Sequence, residues 1–118
     1  MSSKRREIDY LKDIIECINK IEEYIDNILY SDFLNDTKTQ DAVIRNIEII
    51  GEAAKNISSR IKEKYCDIDW GKMARSRDRL IHHYKGVNYD IVWSIIKDEL
   101  PTLLKNIQVI VQTEENNH

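Results

Sequence analysis

Isoleucine and leucine recur every third or fourth residue from the start of the chain. Leu11, Ile14, Ile18, Ile21, Ile25 and Ile28 alternate these two spacings, which is the seam of a helix packed against other helices. Ile8, Ile15 and Leu29 widen the seam into a face, and that width suits a bundle better than a two-stranded coil. The pattern predicts a helix over about residues 5–30. Residues 31–37, SDFLNDT, read as a loop or one short helical turn. Thr37 and Gln40 then have capping-box spacing. Val43, Ile44, Ile47, Ile50, Ala53, Ala54 and Ile57 predict a second helix over about 38–58. Gly51 inside it costs about 1 kcal/mol of helix stability and marks a place where another helix crosses closely.

The stretch SSRIKEKYCDID, residues 58–69, reads as a connector with one further helical turn. Asp69 is a plausible N-cap for a third helix over about 70–84, which Lys85 and Gly86 end, as a cation and a glycine suit a helix C-terminus. Asn88 caps a fourth helix whose stripe runs Ile91, Val92, Ile95, Ile96, Leu100, Leu103, Leu104, Ile107, Ile110 and Val111. Pro101 lies inside that stripe, so a kink or break is expected. The final residues, TEENNH, are expected to fray. The sum is an all-α, antiparallel bundle of four to five helices in a single domain over 1–118, with its core at about 5–112 and no predicted strand.

Composition supports this reading. Three glycines and one proline in 118 residues leave helices uninterrupted, and 42% hydrophobic with 33% charged residues describes a folded, soluble domain. No apolar run approaches the ~18 residues of a membrane span, and the N-terminus, MSSKRREIDY, lacks the apolar stretch of a signal peptide. A cytoplasmic protein with no membrane partner is expected. Cys17 and Cys66 are far apart, with no second cysteine or histidine at ligand spacing, so they read as free thiols. No metal site and no cofactor motif is indicated. A pI of about 5.6 argues against a general nucleic-acid coat but permits a local basic site.

Such a site is the run RSRDRLIHHY, residues 75–84. From Lys72 to Lys85, five cations face one acid, a local charge of +4 in a chain of net charge −3. Holding an anion such as phosphate suits this reversal, because the guanidinium fork stays charged and pairs phosphate oxygens two at a time. A solvated helix face explains the same cations, with an acid from another helix pairing the like-charged neighbours Arg75 and Arg79. His82 and His83 favour a site. An imidazole beside arginines can move protons while they hold phosphate. That combination suffices for metal-free RNA cleavage, in which a base deprotonates the ribose 2′-OH and the 2′-oxygen attacks the adjacent phosphorus. Ser76 has nothing local to activate it and reads as structural.

On a straight helix Arg77 and His82 would sit about 140° apart, whereas Arg77 and Tyr84 would nearly coincide. Asp78 and His82 have i,i+4 spacing, which would let the carboxylate orient the imidazole. Either the helix bends or ends near His82, or two chains build the site. A homodimer with this helix at its two-fold axis is the preferred solution.

The octet Arg77-Asp78-Arg79-Leu80-Ile81-His82-His83-Tyr84 resembles the R-x4–6-H-x-Y signature of HepT-like toxins, members of the HEPN superfamily. IGEAAKNIS at 50–58, YCDIDWGKMARSRDRLIHHYKGVNYDIVW at 65–93 and KDELPTLL at 97–104 are similar to the family pattern in order and spacing, so the resemblance covers about residues 8–112. It implies an all-helical, HEPN-like homodimer that acts as a ribonuclease toxin, paired with an antitoxin, a minimal nucleotidyltransferase of the MntA type. It implies that Arg77 and His82 are the reacting pair, that Asp78 is the polar follower of the arginine, and that Tyr84 is the motif tyrosine onto which the antitoxin transfers AMP. An AMP chain would bring negative charge and bulk beside the arginines and fill the site RNA needs. His83 occupies the variable position of H-x-Y, so the choice of His82 over His83 rests on register.

Arg75 and Arg79 lie outside the signature and are assigned, with His83, to positioning phosphate or RNA. Tyr84 also fits a half-buried packing residue at a helix end, and Glu52 either faces the site, pairs an arginine, or is solvated or salt-bridged. Three functions follow for comparison. The first is a metal-independent endoribonuclease. The second is a non-catalytic nucleotide- or RNA-binding subunit that presents Tyr84 to a nucleotidyltransferase. The third is a plain structural bundle with its arginines scattered over solvent.

Overall fold

Leu11, Ile14, Ile18 and Ile21 are fully buried along one side of helix α1, Ser3–Tyr24, as their spacing requires. The computed structural model describes residues 3–82 and 86–117, with side chains at 6–80 and 86–117. Helix α1 ends at Tyr24 rather than near residue 30. A turn follows in which Asn27 takes the left-handed conformation, φ 60°, which a short amide side chain tolerates. Ile25 still enters the core, but Leu29, expected on the buried face, is 70% exposed because the turn ends the helical spacing. Helix α2, Tyr30–Leu34, buries Phe33 instead.

Helix α3 spans Thr37–Lys55 and is capped by Asp36, not by Thr37. The Asp36 carboxylate accepts from the Thr39 N–H at 3.1 Å and from its hydroxyl at 2.6 Å. Gln40, expected to close a capping box, is buried and donates to the carbonyls of Phe33 and Leu34 at 2.9 and 3.1 Å. It thereby satisfies the open end of α2. Helix α4, Ser59–Lys64, starts at the Ser58 cap inside the predicted connector.

The predicted third helix is divided. Helix α5 covers Trp70–Ala74 behind the expected Asp69 cap, and α6 covers Ser76–Leu80. The chain then leaves the helix. Strand β1, Ile81–His82, pairs antiparallel with β2, Gly86–Val87, with Ile81 opposite Val87 and His82 opposite Gly86. This short ladder corrects the expectation of no strand and of a helix reaching Tyr84. Gly86, at φ 73°, supplies the backbone conformation the reversal uses.

Asn88 caps helix α7, Tyr89–Ser94, as expected, with its side chain accepting from the Ile91 N–H at 3.2 Å. A π-helical turn, Ile95–Glu99, leads into α8, Leu100–Asn116, where Pro101 sits in the first turn. Proline has no N–H to bond the carbonyl four residues back, and its ring crowds that carbonyl. The wider turn accommodates it, with the Leu100 N–H bonding the Ile95 carbonyl. Val92, Ile96 and Leu100 are all buried. Their spacing of four would drift by about 40° per step on a regular helix, and the wider turn keeps them on one face.

Helix α1 packs on α3 and α8, and α3 in turn carries α5 and α6. The core is mostly isoleucine, with Val43 and Ile47 of α3 and Ile107 and Ile110 of α8 buried in it. Each such side chain contributes about 1.5–3 kcal/mol by leaving water. The result is an all-α bundle with one small hairpin.

The C-terminal residues do not fray at residue 113. Helix α8 continues to Asn116, and Glu114 is 1% exposed. Its carboxylate accepts from Arg60 at 2.6 Å, Lys64 at 2.8 Å and the Tyr65 hydroxyl at 2.7 Å. Arg60 also reaches the buried Glu7 of α1 at 2.9 Å, so three helices meet in one ionic network. Burial pushes the Glu114 carboxyl up, but the hydrogen bonds from Lys64, Arg60 and Tyr65 outweigh it and pull it down to about 2.

Two outcomes are expected. The stability Glu114 contributes should be complete above pH 4.5, the carboxyl's ordinary value, and lost as pH falls toward 2. A melting-temperature titration should show that fall, shallower in Glu114→Gln, and Glu114→Gln should cost about 1–3 kcal/mol at neutral pH. A Cβ at Gly51 would meet Ser76 Oγ at 2.8 Å and the Met73 carbonyl at 3.2 Å. Gly51→Ala should therefore lower the melting midpoint, since overpacking costs about 1–3 kcal/mol against a helix gain of about 1. Adding Ser76→Ala should restore part of the loss.

Candidate functional site

The basic run begins where α5 and α6 rest on α3. Gly51 of α3 lets the two backbones approach, and the buried Ser76 hydroxyl donates to the Ile47 carbonyl at 3.3 Å. Ser76 is thus a structural tie, as its lack of an activating neighbour suggested. Four residues on, Leu80 is 1% exposed and anchors the far end of α6. Between these two anchors, Arg77 and Asp78 are exposed and Arg79 is half-buried.

The three arginines take different directions. Arg75 caps α5, and its guanidinium lies back over Gly71, where an added Cβ would meet Nη1 at 2.8 Å. Arg77 opens onto a polar groove of about 490 Å³ between α3 and α6, together with Arg45, Glu48, Glu52 and Lys55. Its ionic neighbour among the described residues is Glu48, 3.7 Å from Nε, and the Arg77 side chain is 73% exposed. Glu52 is turned to Lys55 at 3.3 Å. It lines the groove but its ionic partner is not an arginine.

Arg79 points the other way. It donates to both oxygens of Glu99, at 3.0 and 2.6 Å. The Lys72 ammonium stands 3.6 Å from the same carboxylate. This pair borders a separate cavity of about 320 Å³ with an apolar wall that includes Ile47, Met73, Ile95 and Leu103. The hydrogen bonds from Arg79 hold the Glu99 carboxyl below its ordinary range against the opposing effect of burial. The fork of Arg79, assigned from the sequence to positioning phosphate, is filled here by a carboxylate from another helix, on the side of α6 away from Arg77.

Helix α6 ends at Leu80, so the 140° separation expected between Arg77 and His82 on a straight helix no longer applies. The backbone of His82 lies in β1, past the helix end, and the i,i+4 relation of Asp78 to His82 lapses with it. The His82 side chain, His83 and Tyr84 lie outside the described residues, so the assigned roles of these three rest on the sequence. Among the described residues, no group of three His, Cys, Asp or Glu side chains is arranged to share a metal ion, and no helix is long and apolar enough to cross a membrane.

Sequence reasoning missed Glu48 and Glu99. Glu48 meets Arg77 only because α3 and α6 pack together. Glu99 had one local signal, an acid two residues before the proline of an apolar stripe.

Comparison with known proteins identifies the family. The family model described as ribonuclease HepT-like matches residues 14–110. A protein of Thermococcus cleftensis named probable ribonuclease HepT is 51% identical over 100 residues, 85% of this chain and 91% of the relative. A putative RNase of Methanocaldococcus jannaschii is 43% identical over 106 residues, covering 90% and 88% of the two chains. A putative RNase of Caldanaerobacter subterraneus subsp. tengcongensis is 40% identical over 106 residues, covering 90% and 95%. No solved structure matches. The family match spans most of the chain and includes the whole basic run, and the chain belongs to the ribonuclease HepT-like family.

Proposed function

We propose that this protein is a metal-independent endoribonuclease that acts as a homodimer, with Arg77 and His82 at the reacting phosphate. Family membership and the ribonuclease names of its relatives support the activity. The single structural observation that carries the assignment is the state of Arg77. An exposed ion pair at 3.7 Å is worth about 0–1 kcal/mol. A phosphate can displace Glu48 at little cost and take the guanidinium fork in two charge-assisted hydrogen bonds. Arg79, held by two short bonds, is not available on those terms.

In this reading the His82 imidazole takes the proton of a ribose 2′-OH. The 2′-oxygen then forms a bond to the adjacent phosphorus as the bond to the 5′-oxygen breaks, and the departing 5′-oxygen gains a proton. The products are a 2′,3′-cyclic phosphate and a 5′-hydroxyl. Arg77 stabilises the charge that builds on the phosphate oxygens. Two copies of the chain meet near the end of α6 and give the cleft its second set of cations. The same residues suit the toxin of a toxin–antitoxin pair in the cytoplasm. AMP transferred to Tyr84 by an MntA-like nucleotidyltransferase would place a phosphate where RNA must bind.

Purified protein whose intact mass shows an unmodified Tyr84 should cleave RNA in EDTA and leave cyclic phosphate ends. His82→Ala should lower the rate about 10²–10⁴-fold, with the melting temperature unchanged. A requirement for magnesium would overturn the mechanism. Absence of cleavage from both proteins, over several RNAs, would favour the binding-subunit reading. Mixing Arg77→Ala chains with His82→Ala chains should restore activity if each centre draws its pair from opposite chains.

A further inference from the structure

Helix α6 has five residues, too few to be stable alone, yet it carries Arg77 to the groove. Its direction must come from tertiary ties. Ser76 holds its start to α3 through the Ile47 carbonyl, and the Asn88 N–H bonds the Leu80 carbonyl at its end at 2.7 Å. These contacts hold the ends of the backbone. A further tie comes from the opposite wall, where Glu99 holds both prongs of the Arg79 side chain.

We propose that Glu99 is a positioning residue of the site: by clamping Arg79 it sets the rotation of α6 and so directs Arg77 into the groove. The inference rests on the proposed ribonuclease reading for its kinetic consequence. Arg77 and Arg79 are two residues apart on a helix and point about 200° apart. A clamp on one therefore aims the other. Glu99 is 30% exposed and meets Arg79, itself 28% exposed, with Lys72 behind. A π turn inside a helix is a common mark of a functional position, and this one ends at the residue that holds α6.

The rival explanation is that Arg79 binds RNA phosphate and Glu99 is a stand-in anion. The two differ in kinetics. Cleavage of one RNA oligonucleotide would be compared for the wild-type full chain, Glu99→Gln, Glu99→Asp and the exchanged pair Glu99→Arg with Arg79→Glu. Melting temperatures would confirm that each is folded under assay conditions. Backbone hydrogen exchange at residues 77–82 would be followed in parallel.

The clamp predicts that Glu99→Gln lowers kcat about tenfold to a hundredfold with KM nearly unchanged and exchange at 77–82 faster. Glu99→Asp should fall between it and wild type, and the exchanged pair should recover most of both losses. A lower KM with kcat intact in Glu99→Gln would make Arg79 an RNA ligand and overturn the proposal. So would an unchanged kcat. If the wild-type chain cleaves no RNA, the ribonuclease reading fails by itself, and exchange decides the clamp: no change at 77–82 in Glu99→Gln overturns it.

Discussion

The close approach of α3 to the junction of α5 and α6 is the contact on which the candidate site depends. It exists because residue 51 has no side chain. Any Cβ there would collide with Ser76 Oγ and crowd the Met73 carbonyl. With that space open, Ser76 spends its hydroxyl on the Ile47 carbonyl, Leu80 buries itself, and the segment between them is held with Arg77 outward. The stability lost by placing glycine within a helix, about 1 kcal/mol, is the condition for putting a basic segment so near the bundle core.

Electrostatics then separates residues that look equivalent in the chain. Alternate arginines on a helix face nearly opposite directions, so they cannot form one patch. Arg79 is neutralised by Glu99 in a half-buried, two-bond pair, whereas among the described residues the largely exposed Arg77 has one ionic neighbour, Glu48 at 3.7 Å. Exposed pairs contribute little, while breaking a well-formed, partly buried one leaves a charge without its partner. The local charge of +4 is therefore an overstatement of what an incoming phosphate would meet.

Polar groups also hold the rest of the bundle in place. Glu114 is nearly inaccessible yet ionised, because three donors from one short helix and its end converge on it. Together with Glu7 and Arg60 it ties the first and last helices to α4. This is why the C-terminal helix continues past its last aliphatic residue. An apolar pattern has no means of announcing such an end. The same is true of α2, whose exposed carbonyls are closed by Gln40 from the next helix.

Much of this was legible in the chain. The all-α bundle follows from apolar spacing, which is a local property. The Asp69 and Asn88 caps are likewise set by residues three positions away. The close contact at Gly51 and the disturbance near Pro101 could be placed because each residue has one special property, no side chain in the first and no N–H in the second. The basic run and its resemblance located the family. Tertiary structure alone decided that the third helix stops at Leu80 and yields to a hairpin, that Glu114 is a buried anchor, and that Arg79 belongs to Glu99. Each of these depends on groups 20 or more residues apart in sequence or on the reversal of the chain at Gly86. Local spacing records which side chains share a face, but which charge meets which is settled only when the helices pack.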